Sequence, residues 1–302
     1  MKTIGIDLGG HTIACAEIDI SHREPYILRR IEMQTPEERT LPEVLSALIG
    51  GISQLACDER ELNIGIGVPG FLDKERKKIQ KLTNFKGFEN IPFPSLLNKK
   101  LAESGIDSRI IMENDANCAA LGEGLCGAAK GCSDFIVLTL GSGIGAGIIS
   151  GGKLVTGAHG MAGECGHIVI SEKIKKCACG GMGHAESFAS ADRAEAEAKK
   201  IGHPADFKLL WQDRDNPKIK TILAPTITSI AKTIATVTVT FDPEITILNG
   251  GMSRAEGIVQ MLENTAKNYL PTPFTPHLKI EKSKLQADAA LYGAVAGFAE
   301  NI

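Results

Sequence analysis

The sequence has no basic stripe. Its 33 lysines and arginines are set against 36 aspartates and glutamates, and the net charge of −3 is spread along the chain, which argues against nucleic acid as a partner. Two basic clusters, Lys74 to Lys78 and Lys173 to Lys176, are short and are expected to be solvated loops. A secretory leader is also not expected, because Met1 runs straight into the apolar Ile4–Ile6 with no charged segment and no cleavage site. No apolar stretch approaches the length of a membrane span, so no membrane association is expected. Eight cysteines in 302 residues do not form a disulfide scaffold. Cys15, Cys57, Cys118, Cys126, Cys132 and Cys165 sit among small or apolar neighbours and read as reduced core residues of a cytoplasmic protein. Two familiar phosphate loops are excluded as well. The chain has no glycine-lysine-serine/threonine run, and an apolar strand follows Gly141-Ser142-Gly143-Ile144-Gly145 where a dinucleotide fingerprint needs a helix.

What is present is an α/β pattern. With 43% hydrophobic residues the chain can bury a large core, and its length suits two lobes better than one. Lys2–Asp7, Gly9-Gly10 and Thr12–Ile18 read as strand, glycine turn, strand. Thr40-Leu41-Pro42-Glu43 has capping-box spacing, and Val44, Leu45, Leu48, Ile49, Ile52 and Leu55 follow a helical period behind it. Asn63–Val68 and Arg109–Met112 are strands, and the second runs into Glu113-Asn114-Asp115, where a helix is expected to begin. Near Asp134 the opening order recurs. Phe135–Leu140 is an apolar strand, Gly141-Ser142-Gly143 a turn, Ile144–Ile149 another strand, and Ser150-Gly151-Gly152-Lys153 a hairpin turn. The recurrence reads as a diverged internal duplication. Residues 187–200 and 219–241 are expected to be helical, although Thr236-Val237-Thr238-Val239-Thr240 alternates like a strand. Ile245–Leu248 is a strand ahead of Asn249-Gly250-Gly251, and an alanine-rich helix from Asp288 to Ala299 closes the chain.

Four groups of residues carry chemistry. Asp7-Leu8-Gly9-Gly10-His11-Thr12 and Leu140-Gly141-Ser142-Gly143 each suit a tight turn whose N–H groups approach phosphate oxygens, though either alone reads more readily as an ordinary glycine hairpin. Asn249-Gly250-Gly251-Met252-Ser253 suits a third close approach, under a nucleotide base. Asp115, at the C-terminal end of a strand, is placed either to accept a proton from an attacking hydroxyl or simply to cap the helix. His167, with Cys177, Cys179 and His184, offers four soft or borderline ligands, the number a closed structural zinc site takes. The alternative is two loop cysteines with unrelated histidines.

In this order and spacing the motifs resemble the ROK family (repressors, open reading frames and kinases). The resemblance spans essentially the whole chain. It rests on Asp7 to Thr12, Gly67-Val68-Pro69-Gly70, Glu113-Asn114-Asp115-Ala116-Asn117 and Leu140 to Gly147. It continues through Ala162-Gly163-Glu164-Cys165-Gly166-His167, the cysteine segment ending at Glu186, and Gly250-Gly251. It implies an actin-like ATPase (ribonuclease H-like) duplicated fold, with two α/β lobes around a central cleft. The expected lobes are residues 1–116, joined by a returning C-terminal helix at 287–302, and residues 117–286 carrying a zinc-binding loop. It implies an ATP-dependent hexose kinase with Asp115 as catalytic base and Asn114, Asp115, Glu164, His167 and Glu186 on the sugar. Asp7, Gly9, Gly10, Thr12, Gly141, Ser142 and Gly143 would hold Mg-ATP phosphates, with Gly250 and Gly251 near the adenosine. His167 would then both ligate Zn2+ and touch the sugar.

Two departures from the family pattern stand out: His184 where the last zinc ligand is usually cysteine, and Ser142 where threonine is usual. Glu164 in the Glu-x-Gly-His motif suits a sugar with a free 2-hydroxyl, so glucose leads. N-acetylglucosamine, N-acetylmannosamine and allose are the alternatives. Thr83-Asn84-Phe85-Lys86-Gly87-Phe88 is expected at the pocket entrance. A sugar-responsive repressor would carry an N-terminal helix-turn-helix domain, for which a phosphate turn starting at Asp7 leaves no room, and a non-catalytic sugar-binding module fits the retained Asp115 poorly. A homodimer is the family expectation.

Overall fold

A computed structural model describes residues 1–82, 85–172 and 175–299. Thr83, Asn84, Lys173 and the last three positions of the expected C-terminal helix lie outside the described residues. The chain divides into two units: residues 1–130 with 154–162 and 288–302, and residues 131–153 with 163–287.

The first unit is built on a five-stranded sheet. Its strands are β1 (Lys2–Leu8), β2 (Thr12–Asp19), β3 (Tyr26–Gln34), β4 (Glu61–Val68) and, after the three short strands β5 (Phe71–Leu72), β6 (Ile79–Lys81) and β7 (Glu89–Ile91), β8 (Asp107–Asn114). The order is β3-β2-β1-β4-β8, antiparallel on the β2 side of β1 and parallel from β1 to β8. Strand alternation decides both faces. Ile4, Ile6 and Leu8 of β1, Ile13 and Cys15 of β2, and Leu62, Ile64 and Ile66 of β4 face one core. That core is closed by α1 (Leu41–Ala56) and α2 (Phe93–Glu103) through Leu48, Ile52, Phe93 and Leu97. The carboxylate of Glu43 ties the start of α1, accepting from the Thr40 amide at 3.2 Å and its hydroxyl at 2.8 Å.

The other face of the sheet offers Ala14, Ala16 and Ile18 to the C-terminal helix Ala289–Ala294. Its backbone comes so close that a Cβ on Gly65 would sit 2.0 Å from the Ala294 carbonyl oxygen. The same helix crosses α3 (Asp115–Cys126), where a Cβ on Gly293 would sit 1.7 Å from the Cys118 carbonyl oxygen. This packing keeps all of α3 in the first unit, so the boundary expected after residue 116 falls inside a helix and moves to 130. The closing helix is shorter than expected, with single 3-10 turns at Gln286–Asp288 and Ala296–Phe298 on either side.

The second unit repeats the plan. Its strands are β9 (Phe135–Leu140), β10 (Ile144–Ser150), β11 (Lys153–Leu154), β12 (Ile245–Asn249) and β13 (Ile280–Lys282). They lie in the order β11-β10-β9-β12-β13, with β9 antiparallel to β10 and parallel to β12. Position for position, this is the topology of the first sheet, the structural trace of the duplication. Positive φ at Gly151 and Gly152, +56° and +72°, makes the hairpin turn after β10.

The helices are α4 (Glu186–Ala189), α5 (Ala191–Lys200), α6 (Phe207–Gln212), α7 (Pro217–Phe241) and α8 (Ile258–Lys267). The single helix expected over 187–200 is two, broken at Ser190, whose hydroxyl accepts from the Arg193 amide at 3.3 Å to cap α5. By contrast, α7 runs unbroken through its threonine-rich end. Thr236 and Thr240 return their hydroxyls to the carbonyls of Lys232 and Thr236, at 2.8 and 2.7 Å, satisfying them within the helix. Its length and apolarity would suffice to cross a membrane, contrary to expectation, yet 67% of its most apolar stretch is buried within the protein.

Three local expectations are corrected. Cys57 is exposed and Cys132 half-exposed, so neither is a core residue. Arg76, in the supposedly solvated Lys74–Lys78 run, turns inward to an ion pair. Phe85 and Phe88 pack into the first core instead of lining an entrance.

Candidate functional site

In the first unit, the β1–β2 turn is closed by the Gly9 amide donating to the Thr12 carbonyl at 2.9 Å. A Cβ on Gly9 would stand 2.7 Å from that carbonyl oxygen, so only glycine makes this bend, while Gly10 opens onto free space. The Thr35 hydroxyl holds the turn from outside, donating to the Gly9 carbonyl at 2.8 Å. Asp7 lies at the strand end entering the turn, in register with Gly67 of β4, and β4 pairs in turn with β8 through Val68 and Asn114.

The junction of β8 and α3 separates two roles that sequence alone leaves open. Asn114, not Asp115, caps the helix: its side-chain oxygen accepts from the amides of Ala116 and Asn117 at 2.9 and 3.1 Å. Its amide nitrogen donates to the Gly70 carbonyl at 3.2 Å. Asp115 is thereby released from capping, although one oxygen still accepts from the Ala116 amide at 2.8 Å. Burial pushes the Asp115 carboxyl up to about 6. Burial, and then the charge of Asp115, pushes Asp7 up to about 7. Two enclosed carboxyls that repel one another make a site suited to a divalent cation or to holding a proton.

In the second unit, the β9–β10 turn is closed by the Gly141 amide on the Gly143 carbonyl at 3.0 Å. Glu186 accepts from the next amide, that of Ile144, at 2.9 Å. A Cβ on Gly143 would lie 2.5 Å from the same Glu186 oxygen. Gly250, at φ +89°, brings β12 against this turn, with its missing Cβ only 2.5 Å from the Leu140 carbonyl oxygen. The Ser253 hydroxyl donates back to Gly250 at 2.7 Å. The loop before α4 gathers His167, Cys177, Cys179 and His184, with one ligand atom of each within 4.8 Å of every other. Cys179 Sγ is 3.2 Å from His184 Nδ1, and Cys177 Sγ is 3.9 Å from His167 Nδ1. Tetrahedral zinc bonds of about 2.0–2.3 Å put ligands roughly 3.3–3.8 Å apart, near the two cysteine–histidine spacings of 3.2 and 3.9 Å, and the two-thiol, two-imidazole donor set suits the ion. A hairpin makes it: the Cys177 amide donates to Gly181 at 2.8 Å, and a Cβ on Gly181 would strike the His184 ring at 2.4 Å. The other nitrogen of His167, Nε2, faces Glu164 Oε2 at 3.7 Å, so one ring addresses both the cluster and a carboxylate.

These features are shared with known proteins. The ROK family model matches residues 3–300. The chain belongs to the ROK family. Its fold is the actin-like sugar-kinase fold of that family. Among curated relatives, the glucokinase of Thermotoga maritima is 30% identical over 320 residues, covering 100% of this chain and 98% of that protein. An N-acetylmannosamine kinase of Salmonella typhimurium is 28% identical over 97% of each chain. Among solved structures, a ROK family glucokinase from Streptomyces griseus in complex with glucose and AMPPNP matches with a TM-score of 0.83. It is 27% identical and the match covers 99% of both chains.

Beyond the expected residues, the geometry draws in Glu113 and Arg76. Glu113 accepts from the Asn114 amide at 2.8 Å and from the Asn117 side chain at 3.0 Å. The only sequence signal for it was its place beside Asn114-Asp115.

Proposed function

We propose that this ROK family member is an ATP-dependent hexose kinase that phosphorylates the 6-hydroxyl of glucose. The observation that carries the reading is Asp115, which lies at a strand end, is relieved of capping by Asn114, and has a carboxyl raised by burial toward neutrality. A base whose pKa lies near the working pH takes a proton efficiently while still being ionised.

The residues proposed to act are Asp115, Asn114, the Asp7–Thr12 turn, the Gly141-Ser142-Gly143 turn, Gly250-Gly251, and Glu164, His167 and Glu186. Turn amides would hold the phosphates, and Asp115 would accept the proton from the sugar's primary hydroxyl as that oxygen meets the γ-phosphorus in line. Mg2+ carried with ATP would neutralise phosphate charge beside Asp7, where repulsion between Asp7 and Asp115 already favours a cation. Zn2+ held by His167, Cys177, Cys179 and His184 would be structural, fixing the hairpin and turning His167 toward Glu164. Catalysis would then come from positioning and electrostatics rather than from covalent chemistry.

The similarity to both a glucokinase and an N-acetylmannosamine kinase supports sugar phosphorylation and leaves the acceptor to experiment. Glu164 favours a free 2-hydroxyl, hence glucose over N-acetylmannosamine or N-acetylglucosamine, while allose, whose 2-hydroxyl is also free, is separated from glucose by the assay alone. ADP release measured over these four sugars tests the reading. Glucose should give the highest kcat/KM, a preference for an N-acetyl sugar would reassign the acceptor, and no ADP with any sugar would leave a sugar-sensing protein.

A further inference from the structure

We infer that Arg76 is a positioning residue for Asp115, acting through Glu113; the inference rests on Asp115 being the base. Arg76 adopts φ +57°, a left-handed backbone that a non-glycine residue enters only at a cost. The bend is held by the Asp73 carboxylate, which accepts from the amides of Lys77 and Lys78 at 2.7 and 2.8 Å. Its result is to aim the side chain into the unit, where Arg76 and Glu113 keep only 15% and 17% of their side-chain surface exposed. Arg76 Nε donates to Glu113 Oε2 at 2.8 Å, and Nη1 donates to the carbonyls of Asp73 and Gly160 at 3.0 and 3.1 Å.

The second oxygen of Glu113 passes the constraint on. It accepts from the Asn114 amide and the Asn117 side chain, one residue before Asp115 and two after it. A planar fork is suited to this work, because its donors leave in fixed directions and orient the carboxylate rather than merely neutralising it. Gly160, at φ +79°, accepts the fork at close range: a Cβ there would lie 2.7 Å from Arg76 Nη1. That contact ties the 154–162 segment, which leads on to Glu164, to the same arginine. A solvated loop needs none of this, and burying an ion pair is a poor route to stability compared with apolar packing.

The test uses the full-length protein and the variants Arg76→Met, Arg76→Lys, Glu113→Gln and the Arg76→Met/Glu113→Gln pair, assayed with glucose and Mg-ATP. Misaiming a base should lower kcat on the order of 10- to 100-fold, with the KM for ATP unchanged. The pair should fall no further than its worse single member, because both break one linkage. Arg76→Lys should recover part of kcat. If Arg76→Met fails to fold, Arg76→Lys alone decides the matter. A wild-type kcat in the folded variant, whatever its melting temperature, or fully additive losses in the pair, would overturn the inference. Asp115→Asn run alongside separates the two ideas. Wild-type turnover there sinks the base assignment itself. An inactive Asp115→Asn beside a fully active Arg76 variant sinks only the positioning role.

Discussion

Replacing Asp115 with asparagine should stabilise the protein above neutral pH while removing its activity, and the size of the gain follows from the carboxyl's surroundings. Burial raises this group from 3.8 to about 6. The folded state therefore holds the proton more tightly than the unfolded chain. Below about pH 4 both states are protonated and the group costs nothing; between about pH 4 and about 6 the unfolded chain ionises while the folded state keeps its proton, so stability falls, and above about 6 the loss is complete. At about 1.4 kcal/mol per unit the full penalty is roughly 3 kcal/mol. Residual solvent access and the shared titration with Asp7 reduce this to about 1–2 kcal/mol. Asparagine keeps an acceptor for the Ala116 amide but never ionises. Urea unfolding at about pH 4 and about pH 8 reads the effect: the variant's advantage should be small at the first and about 1–2 kcal/mol at the second. An advantage that is equal at both pH values, or a loss at the higher one, would refute the argument that burial strains this carboxylate.

Gly293→Ala should cost several kcal/mol, on the order of 3 or more, because its Cβ would lie 1.7 Å from a carbonyl oxygen of α3; thermal unfolding reads this directly. Metal analysis of the purified protein should find one zinc per chain. Cys177→Ser with His184→Ala should lose the metal and weaken glucose affinity, seen by calorimetry, more than it changes the KM for ATP. Gly143→Ala should raise the KM for ATP, since its Cβ would displace Glu186 from the Ile144 amide, whereas Ser142→Thr should leave it nearly unchanged. The pH profile of kcat/KM should show an acid limb near pH 6, where the base loses its charge.

Features written in local periodicity were legible in the sequence. The strand–glycine–strand pattern at residues 2–18 and again at 135–149 anticipated both sheets, whose matching orders bear out the duplication. The cysteine and histidine spacing anticipated a cluster that does converge. What escaped depends on contacts distant in sequence or on fine competition between neighbours. Arg76 sits in a run of charges, and nothing local announces that a left-handed backbone aims it at a residue 37 positions away. Asn114 and Asp115 are both good caps, and only the strand's end geometry gives the role to Asn114. The alternating threonines of α7 mimic a strand because a pattern of residue types does not reveal that their hydroxyls bond to carbonyls one turn back. The first unit extends past residue 116 because helix α3 stays there through glycine contacts with a segment far along the chain, which no local pattern announces.

The most direct test follows labelled γ-phosphate from ATP to glucose in a single turnover, with wild-type protein and Asp115→Asn in parallel and glucose binding checked by calorimetry. Label should appear on the sugar with the wild type and stay on ATP with the variant, while both bind glucose with similar affinity. Equal transfer by both proteins would contradict Asp115 as the base, and transfer by neither would contradict the kinase itself.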